Sequence, residues 1–267
     1  MIPTISQACS MHADFATDIE DYAAGGCPSI ELWLTKLEAY LDTHSRDELE
    51  QLRVTHAVEW PVASFQGGLF RTGPGLEESK QHFLRRLELC QQLSIGTLVM
   101  AVDPLPPLSQ ELLDQIPERM QQISAWAAPY GTRLALEFQH DAPFLNNLKS
   151  LMHLLDELDQ PNLGVCLDTM AFEKSSSKES DLELLGARLF HVHLCDFDGD
   201  FRELWSKHEA VLPGDGSCRH QAIARYLKAH AYEGAVSVQL QNPMIWAIPP
   251  RQLAEVARMS IERFLDV

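Results

Sequence analysis

The sequence predicts an α/β protein folded as a single closed (β/α)8 TIM barrel over residues 1–267. Strand-like and helix-like segments alternate along all 267 residues, with eight of each. A helix between successive strands is the connection that a parallel sheet requires. Eight such units in about 250 residues match a closed barrel better than an open sheet. Four late strand-like segments also end in potential metal ligands, and the C-terminal ends of the strands are where such barrels place their sites.

The strand candidates are residues 4–9, 29–33, 62–66, 97–102, 133–138, 164–168, 189–195 and 235–240. Helical patterns fall at 15–24, 46–52, 76–93, 110–127, 146–158, 181–186, 221–230 and 250–264. Leu84, Leu87, Cys90 and Leu93 recur with helical spacing, as do Leu253, Val256, Ile261 and Phe264. Gly25-Gly26 stops the first helix, and Pro249-Pro250 suits the start of the last. No G-x-G-x-x-G follows the first strand, which weakens a dinucleotide-binding reading. No linker or composition break divides the chain.

Composition limits the function. Apolar residues make up 45% and aromatics 8%, enough for a full core. The net charge of −17, from 38 acidic and 21 basic residues, argues against a nucleic-acid backbone as partner. Cys9, Cys27, Cys90, Cys166, Cys195 and Cys218 show no paired spacing, so a disulfide framework is not expected and a reducing cytoplasm is. The first residues show no signal-peptide pattern, and no apolar run of about 18 residues predicts a membrane span. A homodimer is left open.

In the four late strands one parity is apolar: Leu134, Leu136 and Phe138; Val165 and Leu167; Phe190, Val192 and Leu194; Val236, Val238 and Leu240. The other parity carries Glu137, Asp168, His191 with His193, and Gln239. Side chains alternate across a strand, so these polar groups face a shared interior. Glutamate, aspartate and imidazole there suit one divalent cation, since several buried charges need a counter-ion. Mixed O/N ligation does not separate manganese, magnesium and zinc. Trp33 is placed either to wall a sugar ring or to join the core. Gln66, before Gly67-Gly68, and Asp103 end the third and fourth strands as further substrate candidates, and Trp246 stands just beyond the last strand.

The chain resembles the xylose isomerase-like TIM barrels, which include sugar phosphate isomerases and epimerases, inosose dehydratase and its isomerase relatives, and apurinic endonucleases. The resemblance covers essentially the whole chain. It rests on Gly25-Gly26-Cys27-Pro28-Ser29-Ile30-Glu31-Leu32-Trp33, Leu134-Ala135-Leu136-Glu137, Gly164-Val165-Cys166-Leu167-Asp168-Thr169, His191-Val192-His193-Leu194-Cys195-Asp196, Leu212-Pro213-Gly214-Asp215-Gly216, and the stretch from Gly234 to Trp246. It implies a divalent metal held by Glu137, Asp168, His193 and the position of Gln239. It also implies a small polyhydroxy-carbonyl substrate such as a keto sugar, sugar phosphate or cyclitol, and an Asp196 at the substrate site that orients a ligand through a hydrogen bond.

Three departures stand out. Gln239 replaces the usual glutamate, Ala171 replaces a histidine three residues after the aspartate, and Lys207-His208 stands where relatives carry arginine. Glutamine is a neutral donor and takes no proton, so a symmetric two-base epimerisation is compromised. Glu137 remains the expected base of a one-base isomerisation or elimination, with His208 and Gln239 as neighbouring catalytic candidates. The other class of function is a barrel that has lost turnover and acts as a small-molecule binding or regulatory protein.

Overall fold

The computed structural model describes residues 1–71, 73–103, 109–197 and 207–265. The elements are β1 (Ile2–Ser6), α1 (Phe15–Ala24), β2 (Ser29–Trp33), α2 (Leu34–Leu41), α3 (Arg46–His56), β3 (Glu59–Gln66), α4 (Pro74–Gln92), β4 (Thr97–Ala101), α5 (Gln110–Ala127), β5 (Arg133–Glu137) and α6 (Leu148–Leu158). There follow β6 (Leu163–Asp168), α7 (Thr169–Lys174), β7 (Leu189–Leu194), β8 (Asp196–Phe197), β9 (Ala210–Val211), α8 (Gln221–Ala229), β10 (Ala235–Val238), α9 (Pro243–Trp246) and α10 (Pro250–Leu265).

β1 to β7 and β10 close into one barrel, each strand parallel to its neighbours, in the order β1-β10-β7-β6-β5-β4-β3-β2. This is the (β/α)8 architecture expected from the alternation. Among the described residues, no helix is long and apolar enough to cross a membrane.

Local chemistry sets the helix starts. Asp14, Ser109 and Asn147 each accept a backbone N–H at the entrance to α1, α5 and α6. Ser45 and Glu48 form a reciprocal capping box at α3. The segment after Ser6 differs from the expected long first strand. Ser6 Oγ accepts the N–H of Ala8, and residues Gln7–Ser10 turn into a 3-10 helix. The pattern at 181–186 is likewise a 3-10 helix, Glu179–Leu184, too short to bury a full helical face. α2 and α7 follow their strands without any intervening turn residue, which hides both from a reading based on punctuation.

Outward strand residues such as Leu32, Leu98, Leu136, Leu167 and Val238 join one large core with the inner faces of the helices. Inside the barrel the packing is smaller: Val62, Val99, Ala135, Cys166, Phe190 and Ala235 form a separate cluster. Five of these lie two residues before Ser64, Ala101, Glu137, Asp168 and Ser237 on the same parity, so the interior turns polar toward the strand ends. Gly164 makes the β6–β7 contact possible. A Cβ there would lie 2.5 Å from the Arg188 carbonyl oxygen and from the Phe190 ring.

Candidate active site

His193 stands at the centre of the polar interior, between two carboxylates. Its Nδ1 lies 2.7 Å from Glu137 Oε1 and 3.4 Å from Cys166 Sγ, and its Nε2 lies 3.0 Å from Glu31 Oε2. The ring is fully buried, as is Glu31, and Glu137 is almost so. Glu31 also receives His191 Nε2 at 2.9 Å on Oε2, and the hydroxyls of Ser6 (3.0 Å) and Ser64 (2.6 Å) on Oε1. Its four donors therefore come from the two neighbouring strands, β1 and β3, and from β7 across the barrel. A buried carboxylate is tolerated only with such compensation.

The charges follow from this arrangement. Burial alone would raise the Glu31 carboxyl, but the charge of His193 and the hydrogen bonds of both histidines hold it well below the usual carboxylate range. Burial opposes a charge on His193, yet Cys166, Glu31 and Glu137 together hold the imidazole well above its ordinary range. Burial pushes the Cys166 thiol up to about 12, so at neutral pH it is uncharged and the carboxylates carry the effect. Burial lowers His191, which keeps that ring neutral. The centre thus carries a cationic ring between anions, the charge pattern a metal ion would replace.

Glu137 and His193 fit a shared ion. Adjacent ligand atoms bound at about 2.1 Å in a tetrahedral site lie about 3.4 Å apart, so the pair, now hydrogen-bonded at 2.7 Å, would open by less than an ångström. Among the described residues, ligand-type atoms lie within 4.8 Å of one another in three groups: Glu31 with His191 and His193, Glu137 with Cys166 and His193, and Asp196 with Cys218 and His220. Asp168 is in none of them. It pairs in register with His193, at the same height, but its Oδ1 accepts the Ala171 N–H at 2.6 Å and caps α7, while Cys195 Sγ lies 3.5 Å from Oδ2. Gln239 is buried just past β10, where its N–H donates to the Leu194 carbonyl at 3.1 Å. It sits two residues above Ser237, which pairs with His193.

A family model for the xylose isomerase-like TIM barrel matches residues 19–263. The chain belongs to that family. It is 26% identical to an inosose isomerase of Halalkalibacterium halodurans over 254 residues, 92% of this chain and 90% of that one. It is 27% identical to a 3-dehydroshikimate dehydratase of Pseudomonas aeruginosa over 91% of this chain but only 38% of that protein. A crystal structure of the IOLI protein with a bound zinc atom superposes with a TM-score of 0.90 at 22% identity, covering 100% of this chain and 98% of that one.

The remaining candidates sit around the barrel mouth in different roles. Trp33, half-buried at the end of β2, donates its N–H to Gln7 Oε1 at 3.0 Å. Gln66 is buried, with Nε2 on the Gly67 carbonyl and Oε1 without a partner. Asp103 receives the Gly68 N–H on both oxygens, and burial raises its pKa. Trp246 donates from Nε1 to the Ala8 carbonyl at 2.9 Å, and the rings of His12 and His208 stand edge-on to it at 5.4 and 6.2 Å. His208 is exposed and holds the Gln241 carbonyl at 2.7 Å through Nδ1. The side chain of Lys207 lies outside what the structure describes. Asp196 turns away from the centre: Oδ1 accepts the N–H groups of Phe197 and Cys218, and Oδ2 those of Gly214 and Gly216. It holds the Pro-Gly-Asp-Gly loop in place.

In the sequence Glu31 stands out only as part of the Gly25–Trp33 stretch, and Cys166 only as one of six cysteines without paired spacing and as part of the Gly164–Thr169 stretch. The usable signal was the isolation of Glu31 between Ile30 and Leu32, because a lone inward carboxylate in an apolar strand must find buried donors.

Proposed function

We propose that this protein is a metal-dependent isomerase or dehydratase of a small keto sugar, sugar phosphate or cyclitol, with Glu137 as the proton-transferring base. The observation that carries the reading is the 2.7 Å pairing of Glu137 with His193 in a buried interior at the strand ends, in a family whose relatives here include an isomerase and a dehydratase. Glu137, His193 and Asp168 would hold the ion, with the Gln239 carbonyl as a neutral fourth donor. Such an ion polarises a bound carbonyl and acidifies the proton beside it. Asp168 would have to give up the α7 cap to join this set.

Glu137 is held for proton transfer. One oxygen faces His193 and the other receives Gln139 Nε2 at 2.7 Å, which aligns the carboxylate rather than leaving it to rotate. A single base suits transfer on one face of a substrate, as in isomerisation between neighbouring carbons or elimination of water. Two-face epimerisation is disfavoured, because Gln239 takes no proton. The barrel mouth adds recognition: Trp33 and Trp246 offer apolar faces to a ring, and Asp103 and Gln66 offer polar atoms near it.

The replacement of glutamate by Gln239 also supports a second reading, a barrel that binds its ligand without turning it over. Incubation of manganese-, magnesium- or zinc-loaded protein with inososes, keto sugars and 3-dehydroshikimate in deuterated water separates the two. Deuterium entering the carbon beside the carbonyl, or loss of water, supports the enzyme. Saturable binding of one of these compounds without exchange overturns it in favour of the binding protein.

A further inference from the structure

Glu31 belongs to no part of the proposed ligand set, yet more donors converge on it than on any other side chain of the interior described above. Ser6 from β1 and Ser64 from β3 fill Oε1, while His191 and His193, both from β7, fill Oε2. Glu31 itself is on β2, so its carboxylate spans the barrel and ties β7 to the opposite wall. An ionised carboxylate only accepts hydrogen bonds. His191 Nδ1 is buried with no partner while Nε2 lies 2.9 Å from Glu31 Oε2, so a proton on Nε2 is the one the site hydrogen-bonds.

The same logic applies to His193, with a functional consequence. If Nδ1 is the nitrogen turned to an ion beside Glu137, the ring must keep its one proton on Nε2. Among the described residues, Glu31 Oε2 is the acceptor that stands there, at 3.0 Å. We infer that Glu31 is a positioning residue, which fixes the Nε2–H tautomer of His193 and aims Nδ1 at the metal beside Glu137, with Ser6, Ser64 and His191 holding the carboxylate still. The inference rests on the proposed metal site. Its physical basis is general: a carboxylate on the far nitrogen of a metal-bound imidazole sets the ring's tautomer, orientation and basicity. A glutamine in place of Glu31 keeps the shape but must turn either a carbonyl or an amide N–H toward two histidine nitrogens that both need an acceptor.

The test uses full-length protein, zinc chloride alone as the probe, and two readouts. Calorimetry gives zinc affinity and stoichiometry, and two-bond 15N–1H spectra of histidine-labelled protein report which nitrogen of His193 carries the proton. The wild type is expected to bind one zinc per chain, with His193 protonated at Nε2 and coordinated through Nδ1. Glu31→Gln should weaken zinc binding about 10- to 100-fold and lose the Nε2–H signature. The paired Ser6→Ala and Ser64→Ala variant keeps the charge while loosening the carboxylate. It should give a smaller loss in the same direction, and it serves in place of Glu31→Gln if that variant does not fold. Unchanged affinity and tautomer in both variants, with zinc still lost in Glu137→Ala, would overturn the role of Glu31 and leave the metal site standing. A second zinc per chain that is lost in Glu31→Gln but kept in Cys218→Ala would make Glu31, His191 and His193 ligands themselves and overturn it in another way. A wild type that binds neither zinc nor, titrated in its place, manganese or magnesium chloride overturns both readings together.

Discussion

Gln139 reaches back two residues to donate from Nε2 to Glu137 Oε2 at 2.7 Å, so each oxygen of the proposed base faces its own partner. Glu137→Gln removes the proton acceptor and turns an amide N–H toward one of these partners. Turnover should fall about 10²- to 10⁴-fold, the usual cost of losing a positioned base, even with metal supplied in excess. Gln139→Ala leaves the base intact and should cost far less. Solvent deuterium incorporation, followed carbon by carbon, measures both. Exchange that survives in Glu137→Gln assigns the base elsewhere, with His208 the first residue to examine.

Asp196 offers a prediction about architecture. Four backbone N–H groups converge on its two buried oxygens, and Gly216 packs so closely that a Cβ would lie 2.4 Å from Asp196 Oδ1. Asp196→Ala strands those donors, at a cost of about 3 kcal/mol or more in unfolding free energy by denaturant titration. Amide exchange should rise first at 214–218. Uniform protection with a small stability change would mean that the loop holds itself.

The barrel was legible because most strands kept their parity and each crossover its helix; Phe190 departs from it, lying inside the barrel with Ala135 and Cys166 while Val192 and Leu194 join the outer core. Glu137 and His193 were legible for the same reason, as inward polar residues at strand ends. Their surroundings were not. The donors to Glu31 lie 25, 33, 160 and 162 residues away in sequence, and only closure of the barrel brings them together. Strand parity also does not say which way a side chain turns at a strand end. Asp168 looked like a plain ligand, but the strand runs straight into α7 and its carboxylate caps that helix. Asp196 was expected at the substrate, and its two oxygens receive four backbone N–H groups of the segment that follows it.

A pH-dependent contribution comes from outside the centre. Asp18 in α1 is buried and accepts from Gln7 Nε2 (3.1 Å), Ser10 Oγ (2.6 Å) and Lys36 Nζ (2.6 Å). Burial outweighs these contacts and raises its pKa from 3.8 to about 6. The folded state therefore keeps a proton that the unfolded chain has lost, and the Asp18 contribution to stability declines as pH rises from about 4 to about 6. Asp18→Asn removes this titration. Its stability relative to wild type should improve by up to about 3 kcal/mol between pH 4 and pH 7, whatever its constant offset from the loss of the Lys36 pair. Urea titrations at several pH values measure the difference. A difference that moves the other way would show that Lys36 keeps Asp18 ionised well below pH 6.

Gln239→Glu is the most informative single change. Residue 239 is buried just past the last strand, above the level of His193. With Gln239, Glu137 and Asp168 alone balance a divalent ion; a third carboxylate adds Coulomb attraction at short range in a poorly screened interior. Divalent affinity by calorimetry should tighten, while the metal-free protein should lose stability, since the new charge then lacks a counter-ion. The chemistry should change as well. A carboxylate at 239 supplies a proton acceptor across the substrate from Glu137, which permits exchange on the second face. Deuterium would then enter with inversion at the carbon beside the carbonyl, and epimerised product would accumulate where the wild type gives none. If affinity tightens without second-face exchange, residue 239 acts on the ion alone. If affinity does not move, the glutamine lies outside the ligand set, and the ion is held by Glu137, His193 and Asp168 without it.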